Sequence, residues 1–126
     1  MVKIPENQEM YLQEICQKIS DKKGFNILTL DVRGVCGITD YFIIAEGNVE
    51  RHVQGLAKNI QEIMSNHKMK PYHIEGEQTG DWIVLDYADI MVHLFIPDMR
   101  EKYMLEQVWK GGKIVDIQTA VASGNS

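Results

Sequence analysis

Two apolar runs with almost nothing between them constrain this chain most. Trp82–Tyr87 ("WIVLDY") and Asp89–Ile96 ("DIMVHLFI") are separated only by Ala88. Both are short, rich in β-branched and aromatic residues, and bounded by the turn-forming "EQTGD" and by Pro97, so both read as strands. A connection that tight permits only antiparallel pairing. Upstream, Asn26–Val32, Tyr41–Gly47 and Tyr72–Gly76 read as further strands, the first two joined by the glycine-containing loop Arg33–Asp40. Between the second and third strands lies Asn48–His67, with Val49, Val53, Leu56, Ala57, Ile60, Ile63 and Met64 on one helical face and Asn48 as its N-cap. A helical crossover of that length permits a parallel pair. Before all of these, Asn7–Lys23 repeats Tyr11, Leu12, Ile15, Cys16 and Ile19 at helical spacing, and Gly24 is its stop. After Pro97, Asp98 and Glu101 make a capping-box-like start to a short helix carrying Met99, Tyr103 and Leu105. The order is helix-strand-strand-helix-strand-strand-strand-helix, an α/β domain on a mixed sheet of about five strands.

The chain of 126 residues, 44% of them hydrophobic, is one domain's worth of material. We expect a single domain over residues 1–117 and a disordered tail over 118–126. No apolar run approaches the roughly 20 residues of a membrane span, and "MVKIPENQEM" has no leader-peptide pattern. Cys16 and Cys36 lack metal-ligand spacing. These features point to a cytoplasmic setting. The net charge of −5, with 13 dispersed basic residues, argues against direct nucleic-acid binding as the main activity. An acidic chain suits a basic protein partner instead.

Side chains alternate across a strand, so parity assigns faces. Ile90, Val92, Leu94 and Ile96 share one face of the last strand, with Met91, His93 and Phe95 on the other. In the strand before it, Ile83, Leu85 and Tyr87 oppose Trp82, Val84 and Asp86. One set in each strand is suited to a helix-covered core. The other mixes large apolar groups with titratable ones, and two readings of it stay open. It is a partner surface, since Trp, Tyr, Phe and Met concentrate at interface centres, or it is a second small core in which Tyr103 and Trp109 pack Trp82 and Phe95.

Catalytic readings find little support. A nucleotidyl transferase needs a Gly-Ser phosphate loop followed by paired carboxylates for metal; no Gly-Ser pair exists, and Glu75-Gly76-Glu77 has no such loop before it. His73, Glu75, Asp86 and His93 are potential metal ligands, but nothing demands a third ligand in place. Ser20, Ser65, Ser123 and Ser126 lie on helices or in the tail, Cys36 has no surrounding motif, and Arg33–Gly37 lacks the glycine fingerprint of a nucleotide fold. We expect no enzyme, no metal and no cofactor.

Three linked stretches, "ITDYFIIAEG", "EGEQTGDWIVLDYADIMVHLF" and "REKYMLEQVW", resemble the ribosomal silencing factors, the Iojap-type proteins, over Leu28 to Trp109. The matching positions are Thr39, Asp40, Tyr41 and Phe42; Glu75 and Gly76; Trp82, Asp86 and Tyr87; Asp89, Val92, His93 and Phe95; and Arg100, Tyr103, Leu105, Glu106 and Trp109. Ala88, Gly37 and Val108 stand where glycine, serine and leucine are usual in that family. The resemblance implies a nucleotidyltransferase-like fold without catalytic residues, and a translational repressor. Such proteins bind the large ribosomal subunit through its ribosomal protein number fourteen, block docking of the small subunit, and form homodimers. On this basis Trp82 and Phe95 are expected as apolar anchors and Glu75, Asp86 and Asp89 as charges facing a basic partner. Tyr87 and His93 would orient the contact, with Asp40, Tyr41, Arg100 and Tyr103 in support. A residual nucleotide- or metal-dependent enzyme and a homodimeric scaffold are the alternatives.

Overall fold

The computed structural model describes residues 4–35, 37–103, 111–117 and 119. In chain order the elements are α1 (Glu6–Asp21), β1 (Phe25–Asp31), β2 (Tyr41–Glu46), α2 (Glu50–Ser65), β3 (His73–Glu75), β4 (Trp82–Asp86), β5 (Ile90–Phe95), α3 (Pro97–Tyr103) and β6 (Lys113–Ile114). The strands form one six-stranded sheet in the order β3-β4-β5-β2-β1-β6. β2 and β5 run parallel, with α2 in the crossover between them. The other four neighbouring pairs are antiparallel. The mixed α/β reading of the sequence therefore holds, with one addition. β6 extends the sheet beyond about five strands, and a two-residue strand carries no periodicity to find.

Both long helices pack on one face of the sheet. Leu12, Ile15, Cys16 and Ile19 of α1 and Val53, Leu56, Ala57, Ile60 and Met64 of α2 are buried against Tyr41, Ile43, Ala45, Ile83, Leu85, Tyr87, Ile90, Val92 and Leu94. Helical spacing and the parity of β4 and β5 select most of these residues, but Val49, expected on the buried face of α2, is 55% exposed. The helix ends differ from expectation. Gly24 does not take the left-handed position; Lys23 does, at φ 70°, while a Cβ on Gly24 would meet Ile19 Cγ2 at 2.4 Å. Nor does Asn48 cap α2 with its side chain. Val49 occupies the cap position without a side-chain bond, and His52 reaches back, its Nδ1 accepting the Asn48 N–H at 2.9 Å. That bond leaves the proton on His52 Nε2, which donates to the Lys22 carbonyl at 2.8 Å and ties the start of α2 to the end of α1.

The opposite face carries a smaller core. Leu30, Val32, Phe42, Ile44 and Phe95 are buried there, with Leu28, Trp82, Met91 and the α3 residue Met99 packed around them. Of the two readings of the mixed face, the small core is present beneath, and a half-exposed rim surrounds it. Trp109, expected to help cover it, lies outside the described residues, as do Leu105, Glu106, Val108, Cys36 and, apart from Thr119, the tail over 118–126.

Candidate functional site

Cross-strand partners point to the same side of a sheet, so register builds the mixed face directly. His73, Asp86, Met91 and Phe42 form one row across β3, β4, β5 and β2; Glu75, Val84, His93 and Ile44 form the next; Trp82, Phe95 and Glu46 the third. The contribution of β2 follows from the same parity, since Phe42, Ile44 and Glu46 alternate with Tyr41, Ile43 and Ala45. Strand order alone was needed to see it, and strand order is not written in any one segment.

Trp82 is the centre of the site. Its indole is half-buried, stacks on Phe95 with ring centroids 5.1 Å apart, and donates its Nε1–H to His93 Nδ1 at 3.1 Å. His93 is 7% exposed and meets Phe42 edge-on at 5.2 Å. Burial pushes its pKa down to about 4, so the ring is neutral. Because Nδ1 accepts, Nε2 carries the proton, and this buried N–H has no partner among the described residues.

Three carboxylates lie elsewhere on this face or in the turn that joins β4 to β5. Glu75 is exposed and its Oε2 lies 2.6 Å from His73 Nε2. Asp86 is half-buried and accepts the Ala88 N–H at 2.8 Å, bracing the tight turn between β4 and β5. Asp89 is exposed, its Oδ2 accepting from Gln8 Nε2 at 3.1 Å. The Asp89 carbonyl also accepts from the backbone N–H groups of Asp40 and Tyr41 at 3.1 and 3.0 Å. These bonds hold the β4–β5 turn against the start of β2.

Two expected contact residues are not at the surface. Phe95 is 0% exposed, covered because Trp82 lies over it and Met99 packs on the same cluster. It lies beneath the Trp82 ring and is not available as a surface contact. Tyr87 lies on the opposite, helix-covered face at 3% exposure. Parity already places it there with Ile83 and Leu85, and burial pushes its hydroxyl up to about 12. Tyr41 is likewise in the helix-covered core, with the Arg33 guanidinium 5.3 Å from its ring centroid.

Arg100 ties α3 to the sheet. It lies 3.4 Å from the Glu46 carboxylate and also donates to the Asn26 carbonyl. The sequence offered no signal for this pairing, since its partners are more than fifty residues away. Tyr103 ends α3. Among the described residues, no three His, Cys, Asp or Glu side chains are placed to hold a metal ion, and no helix is long and apolar enough to cross a membrane. An open depression of 880 Å³ between α1 and Asp116–Ile117 is lined by Glu6, Asn7, Glu9, Met10 and Gln13 and includes none of the residues above. The candidate site on this face is a surface around the Trp82 ring.

Comparison with known proteins gives a consistent pattern. The family model described as "Ribosomal silencing factor during starvation" matches residues 5–126. The ribosomal silencing factor RsfS of Halalkalibacterium halodurans is 30% identical over 116 residues, spanning 92% of this chain and 98% of that protein. A mouse protein named mitochondrial assembly of ribosomal large subunit protein 1 is 35% identical over 74 residues, 56% of this chain and 32% of its own length. A crystal structure of a Bacillus halodurans protein superimposes with a TM-score of 0.76 at 31% identity, covering 88% of this chain and all of that one (100%).

Proposed function

We propose a function from one premise: the chain belongs to the ribosomal silencing factor family. On our reading it is a non-enzymatic translational repressor. It docks on the large ribosomal subunit through ribosomal protein number fourteen and sterically blocks joining of the small subunit. The observation that carries this reading is the Trp82 indole, half-exposed and locked on Phe95 and His93, with the carboxylates of Glu75, Asp86 and Asp89 on the same sheet face or the adjoining turn. An ordered aromatic anchor on a face that also carries acidic groups suits a basic protein surface. The name of the mouse relative, which refers to the large ribosomal subunit, supports the choice of subunit.

In this reading Trp82 makes the apolar contact and Glu75, Asp86 and Asp89 meet basic groups. His93 and Phe95 act from beneath, and Tyr87 from the far side of the sheet. Arg100 and Tyr103 hold α3 beside the face. The protein works in the cytoplasm and as a homodimer, on a nucleotidyltransferase-like fold that has no phosphate loop. Co-sedimentation with isolated subunits tests the partner: the protein is expected to pellet with large subunits and not with small ones. Equal recovery with both, or with neither, contradicts the reading.

A further inference from the structure

We propose that His93 is a positioning residue, whose Nδ1 holds the Trp82 indole in the single orientation that a docking partner meets. The inference rests on the docking function proposed above and deepens it. Phe95 stacks on the indole with an interplanar angle of 30°, which restrains the plane of the ring. The hydrogen bond from Nε1 to His93 at 3.1 Å selects which edge of the ring faces the histidine. His93 is itself held edge-on against Phe42 at 5.2 Å and parallel to Phe95, with an interplanar angle of 11°. The acceptor is therefore as fixed as the ring it aligns.

The other nitrogen is what argues for function over packing. Among the described residues, His93 Nε2–H is buried with no partner, and leaving such a donor unpaired is unfavourable. A residue present only to fill this small core would be better as leucine, which has no polar atom to leave unsatisfied. Removing His93 would leave the Trp82 N–H without that acceptor, on a residue that is itself half-exposed. The imidazole thus works against stability while pre-organising an exposed side chain. Pre-organised anchors bind more tightly because less freedom is lost on docking.

Stability and binding are accordingly expected to separate. His93→Leu should unfold at the same temperature as the parent or higher, yet bind purified large ribosomal subunits about tenfold more weakly. His93→Asn keeps an acceptor oxygen near the Nδ1 position but leaves a cavity; it should be less stable and yet recover most of the affinity lost in His93→Leu. In Trp82→Ala, adding His93→Leu should weaken binding no further. Affinity that falls in step with stability across these variants overturns the inference, as does a His93→Leu protein that fails to fold or binds like the parent. Trp82→Ala in the same assay separates the two levels. If it binds as tightly as the parent, the docking reading fails; if it is weakened and His93→Leu is not, only the positioning role fails.

Discussion

Arg100 and Glu46 form an ion pair 3.4 Å apart with side chains only 12% and 9% exposed, joining α3 to the last residue of β2. Breaking a buried pair by removing one partner leaves an uncompensated charge. Arg100→Ala is expected to lower the unfolding free energy by roughly 3 kcal/mol, measured by urea denaturation. The Arg33–Asp31 pair is shorter, at 2.7 Å, but more exposed, at 24% and 15%. Loss of that ion pair through Asp31→Asn should cost no more than about 1 kcal/mol. If the two variants are equally destabilised, burial is not what distinguishes these pairs.

Ala88 sits in the turn between β4 and β5 at φ 73°, a left-handed conformation that a side chain disfavours. The Asp86 carboxylate stabilises the turn by accepting the Ala88 N–H at 2.8 Å. Ala88→Gly relieves the strain but gives the unfolded chain more freedom, for a net gain of about 0.5–1 kcal/mol. Thermal unfolding of the single variant checks this, and a lower midpoint for the glycine form would refute it.

His93 links stability to pH. Its folded pKa is depressed to about 4 from the ordinary 6.5 by burial, so the unfolded chain takes up this proton first as the pH falls. Relative to low pH, the folded state is favoured in full above pH 6.5, and that advantage is lost progressively as pH drops through about 4, by up to about 3 kcal/mol. Denaturation midpoints followed between these pH values should show this slope in the parent and a flatter one in His93→Leu. Identical slopes would show that the histidine is not buried as a neutral ring.

Much of this architecture was legible in the sequence for simple physical reasons. The amphipathic stripes of α1 and α2 and the alternation in β4 and β5 assigned the buried sets apart from Val49, because helix and strand periods differ. Tyr87 is the instructive case. Parity put it with Ile83 and Leu85, and the structure buries it there, although a motif resemblance grouped it with Trp82 and Asp86. Phe95 and His93 were placed on the right face, but their burial depends on Phe42 and Met99 arriving from other elements. No local pattern encodes that convergence. The same limit hid β6, the Arg100–Glu46 link and the use of His52 at the start of α2.

Subunit joining is the most direct test of the central claim. Purified large and small subunits are mixed at a magnesium concentration that favours association, with increasing amounts of the protein, and resolved on sucrose gradients. The account predicts that joined ribosomes decline as the protein saturates the large subunit. Trp82→Ala should need roughly 30-fold more protein for the same effect, corresponding to the loss of an anchor worth about 2 kcal/mol. Joined ribosomes that form undiminished while the protein remains bound to the large subunit would contradict it.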